Sequence, residues 1–198
     1  MKMKTILLFG APGAGKGTQA MRVAALRGIV HISTGDMFRA AAAAKTELGL
    51  RAQGYMERGA LVPDEVTIGM LLERIGESDA HAGFILDGFP RTVAQAEALG
   101  MALRDRGLSI DAAPSIDVPE ELLLQRISTR ATQEGRADDR PEVAAERLRL
   151  QREGVAGVAR FYEGCGLLVE VDGVGTIDEV TERLSTVLDR VSSDTGRA

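Results

Sequence analysis

The chain has few of the residues that build metal clusters and cross-links: one cysteine, Cys165, and two histidines, His31 and His81, among 198 residues. A single thiol can neither close an internal disulfide nor supply a thiolate cluster, so no structural zinc is expected. Cys165 is read as a small buried hydrophobe and His31 as a plain strand residue. Long apolar runs and a leader-like N-terminus are also lacking, which predicts a cytoplasmic location and no membrane partner. Positive charge is not in excess. With a net charge of −5, nothing in the composition recommends nucleic acid or an anionic membrane surface as a partner. Lysine is confined to Lys2, Lys4, Lys16 and Lys45, against twenty arginines. That ratio suits forked recognition of phosphate, but codon usage would produce it equally well, and no function is drawn from it.

The chain is organised around Gly10–Thr18, which follows the apolar run Thr5–Phe9 and leads into a helical stretch ending near Leu26. Strand, glycine-rich turn and helix in that order form a phosphate cradle. Backbone N–H groups of Gly13, Ala14, Gly15, Lys16, Gly17 and Thr18 can curl around phosphate without interference from Cβ atoms, and Lys16 brings an ammonium to the outer phosphates. The position after the lysine, where a hydroxyl commonly holds magnesium, is Gly17, and the hydroxyl comes one place later at Thr18. Magnesium is therefore expected to ride on phosphate oxygens and water, with no direct protein ligand.

Beyond the cradle, a short strand near Ile29–Ile32 precedes the polar turn Ser33-Thr34-Gly35-Asp36. Asp36 or Thr34 is expected to cap the helix that follows. Residues 33–62 read as a small helical insert without a core of its own, free to move at one edge of the main domain. Phe84-Ile85-Leu86-Asp87 returns to the core as a strand ending in a carboxylate, the position that faces the ligand crevice of a parallel sheet. Asp87 is read as the acid that orients magnesium-bound water, the bland alternative being a turn or capping aspartate. Strands near 114–118 and 167–172 alternate with helices, and residues 131–141 lack apolar periodicity and read as an exposed flap. The pattern predicts one α/β domain over residues 1–198, a doubly wound parallel sheet of five strands with helices on both faces.

Arg39, Arg91, Arg130, Arg136 and Arg147 fall at helix starts, in loops or beside them, around the predicted crevice. Polyphosphate is the natural counter-charge for such a set, and phosphoryl transfer needs positioning and charge stabilisation more than a nucleophile.

The motifs GAPGAGKGTQ (Gly10–Gln19), STGDMFR (Ser33–Arg39), LVPDE (Leu61–Glu65), LDGFPRT (Leu86–Thr92) with Gln95, GRADD (Gly135–Asp139) and then Arg147 occur in that order. Together they resemble the nucleoside monophosphate kinases, in particular the short-lid adenylate kinase branch, over nearly the whole chain. The resemblance implies the reaction Mg·ATP + AMP ⇌ 2 ADP in a monomer, with a mobile acceptor-binding insert at 33–62 and a short lid at 130–140. It implies that Thr34, Arg39, Ala60, Leu61, Val62, Gly88, Phe89, Pro90, Arg91 and Gln95 bind AMP, together with Arg136 and Arg147. Lys16, Arg91, Arg130, Arg136 and Arg147 would surround the transferring group, aided by Asp87. Arg126 would lie against the ATP adenine, with backbone near Gly175 touching the same base. Thr34 and Gln95 fit an adenine acceptor, since pyrimidine-specific relatives usually carry Ala and Asn at these places. A UMP/CMP kinase is the alternative within the class. Outside it stand a P-loop ATPase, which two arginine-rich lobes excluding water disfavour, and a GTP switch, whose guanine-reading Asn-Lys-x-Asp is absent from the sequence.

Overall fold

The computed structural model describes residues 4–58, 60–134 and 141–194. Strands β1 (Lys4–Gly10), β2 (Val30–Ser33), β3 (Gly83–Asp87), β4 (Ala113–Asp117) and β5 (Leu168–Asp172) form one sheet in the order β2-β3-β1-β4-β5. All pairings are parallel. A parallel sheet is covered on both faces, so the middles of its central strands, Ile6–Phe9 and Phe84–Leu86, are apolar without a break and their alternation serves two cores rather than one. In β1, Ile6 and Leu8 enter a cluster with Val23 and Ala24 of α1 (Lys16–Arg27) and Leu184 and Leu188 of α8 (Ile177–Asp194). Leu7 and Phe9 enter the opposite cluster, with Leu71 of α4 (Asp64–Ile75), Leu99 of α5 (Val93–Arg104) and Tyr162 of α7 (Pro141–Gly164). Ile85 and Leu86 of β3 divide in the same way. The helices that follow the neighbouring strands β1 and β3 thus lie on opposite faces, which opens a crevice at the carboxyl ends of both strands.

The insert comprises α2 (Thr34–Ala43) and α3 (Glu47–Glu57). Contrary to the expectation, it has a small core: Phe38, Ala52 and Val62 are buried together, with Tyr55, Met56, Val66 and Met70 packed around them. The cap of α2 also differs. Ser33, extended at the end of β2, accepts from the Asp36 N–H at 3.2 Å, which leaves Thr34 as the first helical residue.

Gly49 brings α3 onto α2, since a Cβ there would lie 2.1 Å from the Ala41 carbonyl carbon. Gly49→Ala is expected to force the two helices apart at a cost of about 1–3 kcal/mol. Faster amide exchange over residues 34–57 would show it, and unchanged exchange would refute the packing argument.

Two further expectations are corrected. Cys165 is exposed, because it falls in the turn after α7 rather than on a packed face. The helix α6 (Glu120–Glu134) runs four residues into the stretch read as flap. Ala131, Gln133 and Glu134 are good helix formers, and the Thr132 hydroxyl donates back to the Ser128 carbonyl at 3.0 Å. The remainder of the lid, residues 135–140, lies outside the described residues.

Candidate active site

The loop between β1 and α1 bends at Gly13 and Gly15, with φ of +83° and +91°. Its inner side has no room for side chains at Gly13, where a Cβ would sit 2.8 Å from the Leu123 carbonyl oxygen, whereas Gly15 faces open space. The result is a backbone concavity at a helix N-terminus, shaped to take an anion. Lys16 folds over it and donates from Nζ to the Ala11 carbonyl at 3.0 Å.

Asp87 ends β3 beside this loop. Its Oδ2 would lie 3.4 Å from a Cβ at Gly17, so the missing side chain at Gly17 lets the carboxylate approach the helix start. In register, Asp87 pairs with Leu8 of β1 and Ser33 of β2. His31 does more than fill a strand position. Its Nε2, buried without a hydrogen-bond partner, is 3.6 Å from Asp87 Oδ2. No motif signals this contact, which depends on the β2–β3 register.

The loop opens into a cleft of about 740 Å³, whose walls include Lys16, Asp87, Arg126, Arg130 and Gly175. Arg126 donates to the Gly173 carbonyl at 3.1 Å and so ties α6 to the loop after β5. Gln19 is a link that the sequence does not announce. It is buried, its amide donates to the Ile177 carbonyl at 3.0 Å, and its oxygen accepts from the Thr181 hydroxyl at 2.8 Å. These bonds set the N-terminus of α8, which brings Ile177 and Val180 to the cleft wall.

A second cavity of about 60 Å³ lies under the insert. Of the residues expected to bind the acceptor, Thr34, Arg39, Ala60, Leu61, Val62, Gly88, Phe89, Arg91 and Gln95 line it, and Pro90 lines the larger cleft. The two spaces meet at Gly35, Arg39, Gly88, Arg91 and Gln151. Gln151, one turn after Arg147 in α7, is not among the expected site residues, because no motif includes it. The Arg91 Nε donates to the Gly88 carbonyl at 2.7 Å, which holds its guanidinium at the junction, while Arg39 pairs with Asp36. The helix α7 can pass this loop only because residue 154 is glycine, where a Cβ would be 2.4 Å from the Arg91 carbonyl oxygen. Arg136 lies outside the described residues. Arg147 belongs to α7, but its side chain lies outside them as well.

Gln95 is buried in the first turn of α5, at 2% exposure. Its Oε1 accepts from the Arg91 backbone N–H at 2.7 Å and its Nε2 donates to Asp64 Oδ1 at 2.6 Å.

The model of the family described as adenylate kinase matches residues 8–167. An adenylate kinase of Xanthomonas euvesicatoria pv. vesicatoria is 51% identical over 93% of this chain and 99% of its own length. One from Thermobifida fusca is 49% identical over 92% of this chain and 97% of its own.

The chain belongs to the adenylate kinase family. It is a P-loop kinase, an enzyme that binds nucleotide and transfers a phosphoryl group. The five-stranded parallel sheet is consistent with the adenylate kinase fold, and the match runs from within β1 to the end of the α7–β5 turn, so it takes in the whole cavity under the insert and all of the large cleft except the wall from Gly173 to Val180. Among the described residues no helix is long and apolar enough to cross a membrane.

Proposed function

We propose that the chain catalyses Mg·ATP + AMP ⇌ 2 ADP by direct in-line transfer, with ATP in the large cleft and AMP in the cavity under the insert. What carries this reading is the meeting of the two spaces at Arg39, Gly88 and Arg91, which brings a donor on the glycine loop and an acceptor under the insert to a shared point. Lys16, Arg91 and Arg130, with Arg136 and Arg147, stabilise the charge that spreads over the transferring group. Gly13, Ala14, Gly15, Gly17 and Thr18 cradle the ATP phosphates, and Arg126 and Gly175 flank the adenine. The insert at 33–62 and the lid at 130–140 close over the substrates and exclude water.

The acidic end of β3 suits a hard cation, since Asp87 offers a carboxylate in the cleft beside Gly17, and the Thr18 and Ser33 hydroxyls share that cleft. Magnesium, carried by the nucleotide, neutralises phosphate charge, and Asp87 orients its water. The enzyme acts as a monomer. It works in the cytoplasm, where these nucleotides are supplied, and needs no zinc.

The decisive measurement is a coupled assay at fixed Mg·ATP across AMP, GMP, CMP and UMP. AMP is expected to have the highest kcat/KM, and chelation of magnesium is expected to stop turnover without unfolding the protein. A kcat/KM for CMP or UMP equal to that for AMP would move the enzyme to the pyrimidine class, and stoichiometric zinc in the purified protein would refute the metal assignment.

A further inference from the structure

We infer that Asp64 is a positioning residue that locks the Gln95 carboxamide in one orientation, and so makes the acceptor cavity select a 6-aminopurine over a 6-oxopurine. The inference rests on the reading of the cavity under the insert as the acceptor site.

A glutamine amide has two ends of opposite character, and by itself it can present either one. Here its two neighbours decide. The Arg91 backbone N–H, 2.7 Å from one end, can only donate, so that end is the oxygen. The Asp64 carboxylate, 2.6 Å from the other, can only accept, so that end is the NH₂. Reversing the amide would set donor against donor and acceptor against acceptor at a side chain only 2% exposed, so both ends of a buried amide would lose their partners. Of the two clamps, the carboxylate is the stronger, because its hydrogen bond is charge-assisted.

The clamped amide has one lone pair on Oε1 and one N–H on Nε2 left unused, side by side on the cavity wall. An adenine edge offers an N6–H donor next to the N1 acceptor, which completes both. A hypoxanthine edge offers the reverse, an O6 acceptor next to an N1–H donor, and meets like groups at both positions. It could be read only by the flipped amide that Asp64 forbids. Asp64 is the first residue of α4, directly after the insert, and Gln95 lies in the first turn of α5, so the clamp spans two helices 31 residues apart in sequence.

The test compares AMP with inosine 5′-monophosphate as acceptors for wild type, Asp64→Asn and Asp64→Leu, with Mg·ATP as donor. Asparagine can face the amide with either of its ends, and leucine removes the acceptor outright. The AMP-to-IMP ratio of kcat/KM is expected to fall about tenfold or more in Asp64→Leu and by less in Asp64→Asn, tenfold being worth 1.4 kcal/mol. The KM for ATP should stay unchanged in both. A merely structural role for Asp64 would lower stability and raise the KM for both purines together, leaving their ratio untouched, and that result overturns the inference.

A readout independent of turnover is the Gln95 side-chain NH₂ group in ¹⁵N NMR spectra of the free protein. Slow exchange of these protons with solvent is expected in wild type and faster exchange in Asp64→Leu. Fast exchange in wild type would refute the clamp even with AMP established as the acceptor. Conversely, a wild-type enzyme that prefers CMP or UMP to AMP would remove the acceptor reading while the NMR result stood on its own.

Discussion

Lys16→Met is expected to slow turnover by about 10²–10³-fold while leaving the fold intact, the loss typical of removing one preorganised group that meets charge in a transition state. The lysine is held over the phosphate concavity by its 3.0 Å bond to the Ala11 carbonyl, so its ammonium is in place before substrate arrives. Methionine keeps the length and the apolar stem and removes only the charge. Because the side chain is not part of either main cluster, the thermal midpoint should barely move. Steady-state rates at saturating ATP and AMP, with a melting curve on the same sample, check both halves. A loss of less than about tenfold would mean that the arginines carry the charge stabilisation without the lysine, and a large drop in midpoint would mean that Lys16 is structural.

Phe84→Ala should have the largest effect on stability. Phe84 is wholly buried in β3, in the cluster that joins the sheet to α4, α5 and α7. Truncation there removes a ring's worth of contacts and leaves a cavity that a sheet paired on both sides cannot close, at a cost of about 3–5 kcal/mol. Against a total of roughly 5–15 kcal/mol for a domain, this is a large fraction. At about 2–4 °C per kcal/mol for a chain of this size, the midpoint should fall by roughly 6–20 °C. Ile110→Val, at a partly buried position at the edge of the same cluster, should cost much less. Similar losses for the two variants would contradict the placement of the core.

The class of fold, the glycine loop and most of the residues that line the cavity under the insert are legible in the chain because each is written locally. A backbone cradle needs Gly13 and Gly15 at positive φ next to a helix start, and that need shows as a glycine pattern after an apolar strand. Two-sided burial shows as the unbroken apolar runs of β1 and β3. What the chain does not display are pairings across long sequence separations. Gln19 joins Thr181 across 162 residues, His31 meets Asp87 only through the β2–β3 register, and Gln151 reaches the junction of the cavities only because α7 lies across it. Cys165 departs from expectation, since the residue read as a buried hydrophobe is exposed at a turn.

The sequence by itself determined a phosphate-binding strand, loop and helix, since phosphate binding at a helix N-terminus is a property of a short contiguous segment, and the order of its motifs carried the resemblance to the adenylate kinases. Only the tertiary structure decided which way round the Gln95 amide lies. That choice depends on the Arg91 N–H and the Asp64 carboxylate, one four residues away and the other 31, and a hydrogen bond exists only where folding has brought donor and acceptor within reach.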